Sequence, residues 1–109
     1  MSRPITITNK SRKVSAVSLR DKPKIAQDIT WRVDGEKDQI IILHSPKLAL
    51  PQILNPTAAK IFSSCNGENT VKGIALGLCE EFEKDDFSKV LADVKKCLKY
   101  FSKNQIIQI

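Results

Sequence analysis

The sequence predicts an α+β domain, a three-stranded antiparallel sheet followed by a three-helix bundle, on three observations. Alternating and β-branched patterns crowd the stretch before residue 55, and helical periodicity fills the stretch after it. Between the two, Ile53-Leu54-Asn55-Pro56-Thr57-Ala58-Ala59 reads as a strand running straight into a capped helix. A chain of 109 residues, 41% of them apolar, suits one domain with a modest core.

The strand-to-helix joint carries the strongest local signals. The Asn55 side chain suits an N-cap, where it accepts from an otherwise unpaired first-turn N–H. Pro56 follows at the first helical position, where a missing N–H costs nothing. Ala58, Ala59, Ile61 and Phe62 then supply helix propensity and an apolar face, so a helix is predicted over 56–65. Gly67, behind Asn66, suits the left-handed conformation that ends helices.

Upstream, Ile29, Trp31 and Val33 alternate with Thr30 and Arg32, the pattern of a strand with one buried face. Asp34-Gly35 opens a hairpin loop over 34–38. Ile40-Ile41-Ile42-Leu43 suits a central strand covered on both faces. Ser45-Pro46-Lys47 turns the chain into a third strand over 48–54. Pro51 cannot donate to a ladder, which makes that strand an edge. Such short loops give a meander.

Downstream, Thr70 caps a second helix over 71–82, with Val71, Ile74, Ala75, Leu78, Cys79 and Phe82 on one face. Gly73 and Gly77 within it imply close packing against a neighbour. Asp85 and Asp86 suit the start of a third helix over 87–102. Its apolar stripe is broad: Phe87, Leu91, Val94, Leu98 and Phe101 form one row, and Val90, Cys97 and Tyr100 widen it. Leu54, Ile61, Phe62, Leu91 and Leu98 are assigned to the core. Ile106, Ile107 and Ile109 suit a terminal strand or a core plug.

Charge separates the ends of the chain. Residues 1–27 hold seven basic residues against Asp21 alone, whereas residues 28–109 balance eleven against eleven. The first segment is read as a basic, loosely ordered arm, suited to solvent, to nucleic acid or to an acidic partner. No stretch approaches the ~20 apolar residues of a membrane span. The first residues lack a secretory pattern, so the cytoplasm is the expected compartment.

Catalytic and metal chemistry find little material. Cys65, Cys79 and Cys97 form no Cys-x-x-Cys pair, and His44 is the sole imidazole, so no metal site or disulfide framework is expected. The four glycines make no phosphate loop. Glu80, Glu81, Glu83, Asp85 and Asp86 read as a solvated helix end. No cofactor is expected, and an enzyme is the least supported class.

Two kinds of binding module remain. A winged helix would use the third helix to read DNA through Lys95, Lys96 and Lys99, although Asp85-Asp86 at its start opposes an approach to phosphates. A peptide-recognition module would offer the third strand's open edge to an extended peptide. Backbone groups of Leu50, Gln52 and Ile53 would then pair with the ligand, and Val90, Val94, Cys97 and Phe101 would line its apolar pockets. The same edge would also serve pairing with a second copy.

The stretches ILNPTAAKIFSSCNG, NTVKGIALGL and DFSKVLADVKKCLKYF resemble the PqqD-like family of peptide chaperones. The matching positions are Leu54-Asn55, Thr57-Ala58-Ala59, Asn66-Gly67-Glu68, Thr70-Val71 and the third helix, within residues 28–109. Pro51 departs from the family pattern, and residues 1–27 lie outside it. The resemblance implies a sheet followed by a winged-helix-like trio, and a non-catalytic adaptor without cofactor or metal. Such an adaptor binds the leader region of a ribosomally made precursor peptide as an added strand. It presents that leader to a modifying enzyme, often a radical-SAM protein.

Overall fold

A meander sheet and three helices make up the computed structural model, which describes residues 17–109. The described elements are β1 (Lys24–Ile25), β2 (Thr30–Asp34), β3 (Ile40–His44), β4 (Gln52–Leu54), α1 (Pro56–Ser63), α2 (Val71–Glu81), α3 (Phe87–Lys103) and β5 (Ile107–Gln108). The antiparallel sheet runs β2-β3-β4, with Val33 opposite Ile41 and Ile41 opposite Leu54. That rung and its neighbour, Trp31–Leu43–Gln52, face the helices. Burial of Ile41, Leu43 and Leu54 contributes roughly 1.5–3 kcal/mol each. The predicted α+β class and three-strand, three-helix order are what the chain adopts.

Several expectations for the sheet need correction. Ile40 and Ile42 are only half-buried, because α1 packs on one face of β3 and nothing described covers the other. Trp31 and Val33 alternate as a buried face should, yet they stay 46% and 53% exposed. They sit on an edge strand, and Trp31 rests edge-on against Phe62, with ring centroids 5.1 Å apart. The third strand spans 52–54 rather than 48–54. Pro51 has no N–H to give the ladder, pairing with β3 begins only at Gln52, and Leu48 to Leu50 bend.

Helix starts follow their caps. Asn55 Oδ1 accepts from Ala58 N at 2.9 Å, Thr70 Oγ1 from Gly73 N at 3.1 Å, and Asp86 Oδ1 from Lys89 N at 3.2 Å. Helix ends depart more. α1 stops at Ser63, and Gly67, left-handed at φ 81°, shapes the loop beyond it by donating its N–H to Pro23 O. Gly73 and Gly77 do not mark a close approach. A Cβ on Gly77 would meet nothing within 4 Å, and one on Gly73 only Thr70 Oγ1, at 3.3 Å.

Part of the predicted N-terminal arm is docked. β1 pairs with β5, Lys24 opposite Gln108 and Ile25 opposite Ile107. Val71 N and Lys72 N donate to Asp21 O and Leu19 O, so the arm satisfies two orphan donors of α2. Pro23 is fully buried. The boundary at 27/28 therefore falls inside packed structure, and the arm's residues 1–16 lie outside the described residues. Ile106 and Ile107 act as both plug and strand, beside a core of Leu43, Ile61, Phe62, Leu98 and Phe101.

Candidate functional site

With sheet order β2-β3-β4, the outer edge of β4 faces no strand among the described residues. α3 runs beside it in the opposite direction. Tyr100 lies against Gln52, and Asp93 lies near Asn55 and Ala58. An open groove of about 420 Å³ separates the two elements, with Leu54, Ala58 and Phe101 at its base and Cys97 and Tyr100 on its wall. It borders a second depression of about 380 Å³ between Thr57 of α1, Leu78 of α2, Phe82 just past α2, and Val90 of α3; Asp93 lines both. The joint at Asn55-Pro56 positions this surface, because one cap fixes where β4 stops and α1 departs.

The residues singled out from sequence divide into three groups. Ile53, 72% exposed, Gln52, Val90 and Cys97 border the two depressions. Leu50, 74% exposed, stands before β4 and outside its ladder. Val94 and Phe101 are buried in the core, so Val94 lines nothing and Phe101 meets the groove only as its base. A helix turns about 100° per residue. Positions 94, 98 and 101 therefore point inward, while 90, 93, 97 and 100 form the adjoining flank. The expected pockets mixed Val94 and Phe101 of the inward row with Val90 and Cys97 of this flank and left out Asp93, Lys96 and Ala58; the 3-4-3 spacing of the flank is the signal that separates the two rows.

Of the three free thiols, Cys65 is buried in the core and Cys79 and Cys97 are half-covered, and Cys97 borders the groove. Burial pushes the Cys97 thiol up to about 12. Burial, with a smaller push from Cys97, does the same to Cys65, whose Sγ lies 3.2 Å from Ile61 O. At neutral pH they are protonated, which suits packing rather than nucleophilic attack. His44 is exposed at the end of β3, opposite Thr30. Among the described residues no three His, Cys, Asp or Glu side chains gather as a metal site, and no helix is long and apolar enough to cross a membrane.

A family model described as coenzyme PQQ synthesis protein D, PqqD, matches residues 48–107, from the approach to β4 to the start of β5. Two solved structures share the fold. One is the solution NMR structure of the PqqD truncation of Methylobacterium extorquens PqqCD, a functional, stand-alone recognition element for ribosomally synthesised and post-translationally modified peptides. It superposes with a TM-score of 0.70 at 22% identity, over 89% of this chain and 99% of that one. The other is TbiB1 in complex with the TbiA(beta) leader peptide, with a TM-score of 0.65 at 16% identity, over 78% of this chain and 94% of that one. No curated protein sequence matches this chain.

Proposed function

The chain belongs to the PqqD family, and from that premise we propose that it is a non-catalytic adaptor for a precursor peptide. It binds the leader region as a strand added to β4, with α3 as the second wall, and presents it in the cytoplasm to a modifying enzyme of the radical-SAM class. The observation that carries this reading is the outer edge of β4, which pairs with no strand among the described residues, beside the groove along α3. The two fold relatives support it, since one is a recognition element and the other holds a leader peptide.

Energetics divide the work between edge and groove. β4 is three residues long, and each added backbone hydrogen bond contributes only about 0.5–1.5 kcal/mol net. Micromolar affinity corresponds to about 8 kcal/mol, before the costs of ordering the peptide. Strand pairing alone falls short, so side chains entering the groove must supply the remainder. Val90, Cys97 and Ala58 offer the apolar contact, and Gln52, Asp93 and Lys96 the polar contact.

Titration calorimetry with the synthetic leader of a precursor encoded beside this gene tests the reading. Ala58→Arg, on a half-exposed helix position, fills the groove and is expected to remove binding while leaving thermal unfolding unchanged. Equal affinity of the two proteins would place the ligand elsewhere.

A further inference from the structure

The groove is unevenly charged. α3 carries Lys89, Lys95, Lys96, Lys99 and Lys103 against Asp93 alone. The ion pairs among the described residues are Arg32–Asp34, Lys47–Asp28 and Lys60–Glu81, none of which engages an α3 lysine. Residues 1–16 contain no Asp or Glu, so their side chains hold no carboxylate to neutralise this helix. Lys89, Lys96 and Lys103 recur every seven residues, which places them on one line about 10 Å apart, next to the flank that carries Val90, Asp93, Cys97 and Tyr100.

Charges facing the groove come from few elements. The opposite wall, Gln52 to Asn55 with Thr57 and Ala58, has no ionisable side chain. Asp93 sits at the middle. The Val90 end is lined by Lys84, which stands among Glu83, Asp85 and Asp86 in the connection from α2 to α3, and Lys89 lies one residue before Val90. The Tyr100 end meets Lys96, with Lys103 one helical line further on. The Tyr100 end is basic, with no ion pair among the described residues; the Val90 end is mixed.

Resting on the leader-binding reading, we propose that this polarity selects and orients the ligand. The groove takes an extended peptide whose apolar side chains enter between β4 and α3. Its carboxylates lie at the Tyr100 end, opposite Lys96 and Lys103. The Val90 end, where charges of both signs meet, gives carboxylates no such preference. Each exposed pair changes affinity by only about two- to fivefold, so the effect is selection and register rather than bulk affinity.

A displayed library of random twelve-residue peptides, panned against the whole chain and against a Lys96→Glu/Lys103→Glu double variant, tests the proposal. Both lysines are exposed, so the variant is expected to keep the parent's circular dichroism and melting curve. The parent should enrich peptides that pair apolar residues with Asp or Glu toward one end. The double variant should lose that acidic excess and favour Lys or Arg at the same end. Glu→Gln changes in a selected peptide should weaken binding about two- to fivefold each, with the difference fading as salt rises. Enrichment of apolar peptides without acidic bias, or identical pools from both proteins, would overturn the charge selection and leave the groove reading standing. Enrichment that is absent altogether, or that persists in Ala58→Arg, would overturn both.

Discussion

The Tyr100 hydroxyl donates to Gln52 Oε1 at 2.8 Å, joining α3 to β4 across 48 residues of sequence. The bond crosses one end of the groove and is exposed to solvent. Tyr100→Phe should therefore cost no more than about 0.5–1.5 kcal/mol, measured as a shift in the urea midpoint. A loss above about 3 kcal/mol would mean that the two elements depend on this one contact for their association.

Val94 and Ala58 lie on opposite sides of the division between core and groove. Val94 is fully buried, so Val94→Asp places a carboxylate in the apolar interior and should cost at least about 3 kcal/mol, enough to unfold a marginal domain. Ala58→Arg should leave unfolding within about 0.5 kcal/mol of the parent. Trp31, the sole tryptophan, rests on Phe62 and reports the transition by fluorescence. A folded Val94→Asp protein with an unchanged midpoint would contradict this placement of α3.

The Asn55 cap sets where β4 ends. Asn55→Ala removes the acceptor for Ala58 N and should lower stability by about 1 kcal/mol in chemical denaturation. Asn55→Asp keeps an acceptor at that position and should recover most of the loss. Equal effects of the two substitutions would mean that the cap is not what holds the joint.

The two raised thiols give stability a sign at alkaline pH. Cys65 and Cys97 titrate near 12 in the folded chain, against 9.0 as the ordinary value, so the unfolded state releases its protons first. Their contribution is fully present below about pH 9 and is lost as pH rises from there toward 12. In a Cys79→Ser background, alkylation at pH 8 should be far slower in the native protein than in urea. Native rates equal to those in urea would contradict the burial of both sulfurs.

What was legible in the sequence was local. Asn55-Pro56, Thr70 and Asp86 act within a few residues of themselves, and the three helices start where those residues put them. Contacts set by distant partners were not legible. β1 and β5 are two residues each, and residues 24–25 are ordered by distant partners, β5 and the 65–66 backbone, so that part of the chain reads as a loose arm. Trp31 and Val33 show the period of a buried face, but period does not reveal that the strand is an edge beyond the cover of α1. The wide stripe of α3 was visible, whereas its division between Val94 and Cys97 depends on where Leu54 and Ala58 sit opposite it.

Amide hydrogen exchange of the chain with and without a leader peptide is the most direct measurement of ligand addition to β4. Added protection should concentrate on the backbone of 52–54 and spare β2, with side-chain methyl shifts at Ile53 and Val90. Protection confined to β2, or to the lysine-rich face of α3 without any change at 52–54, would contradict strand addition at this edge.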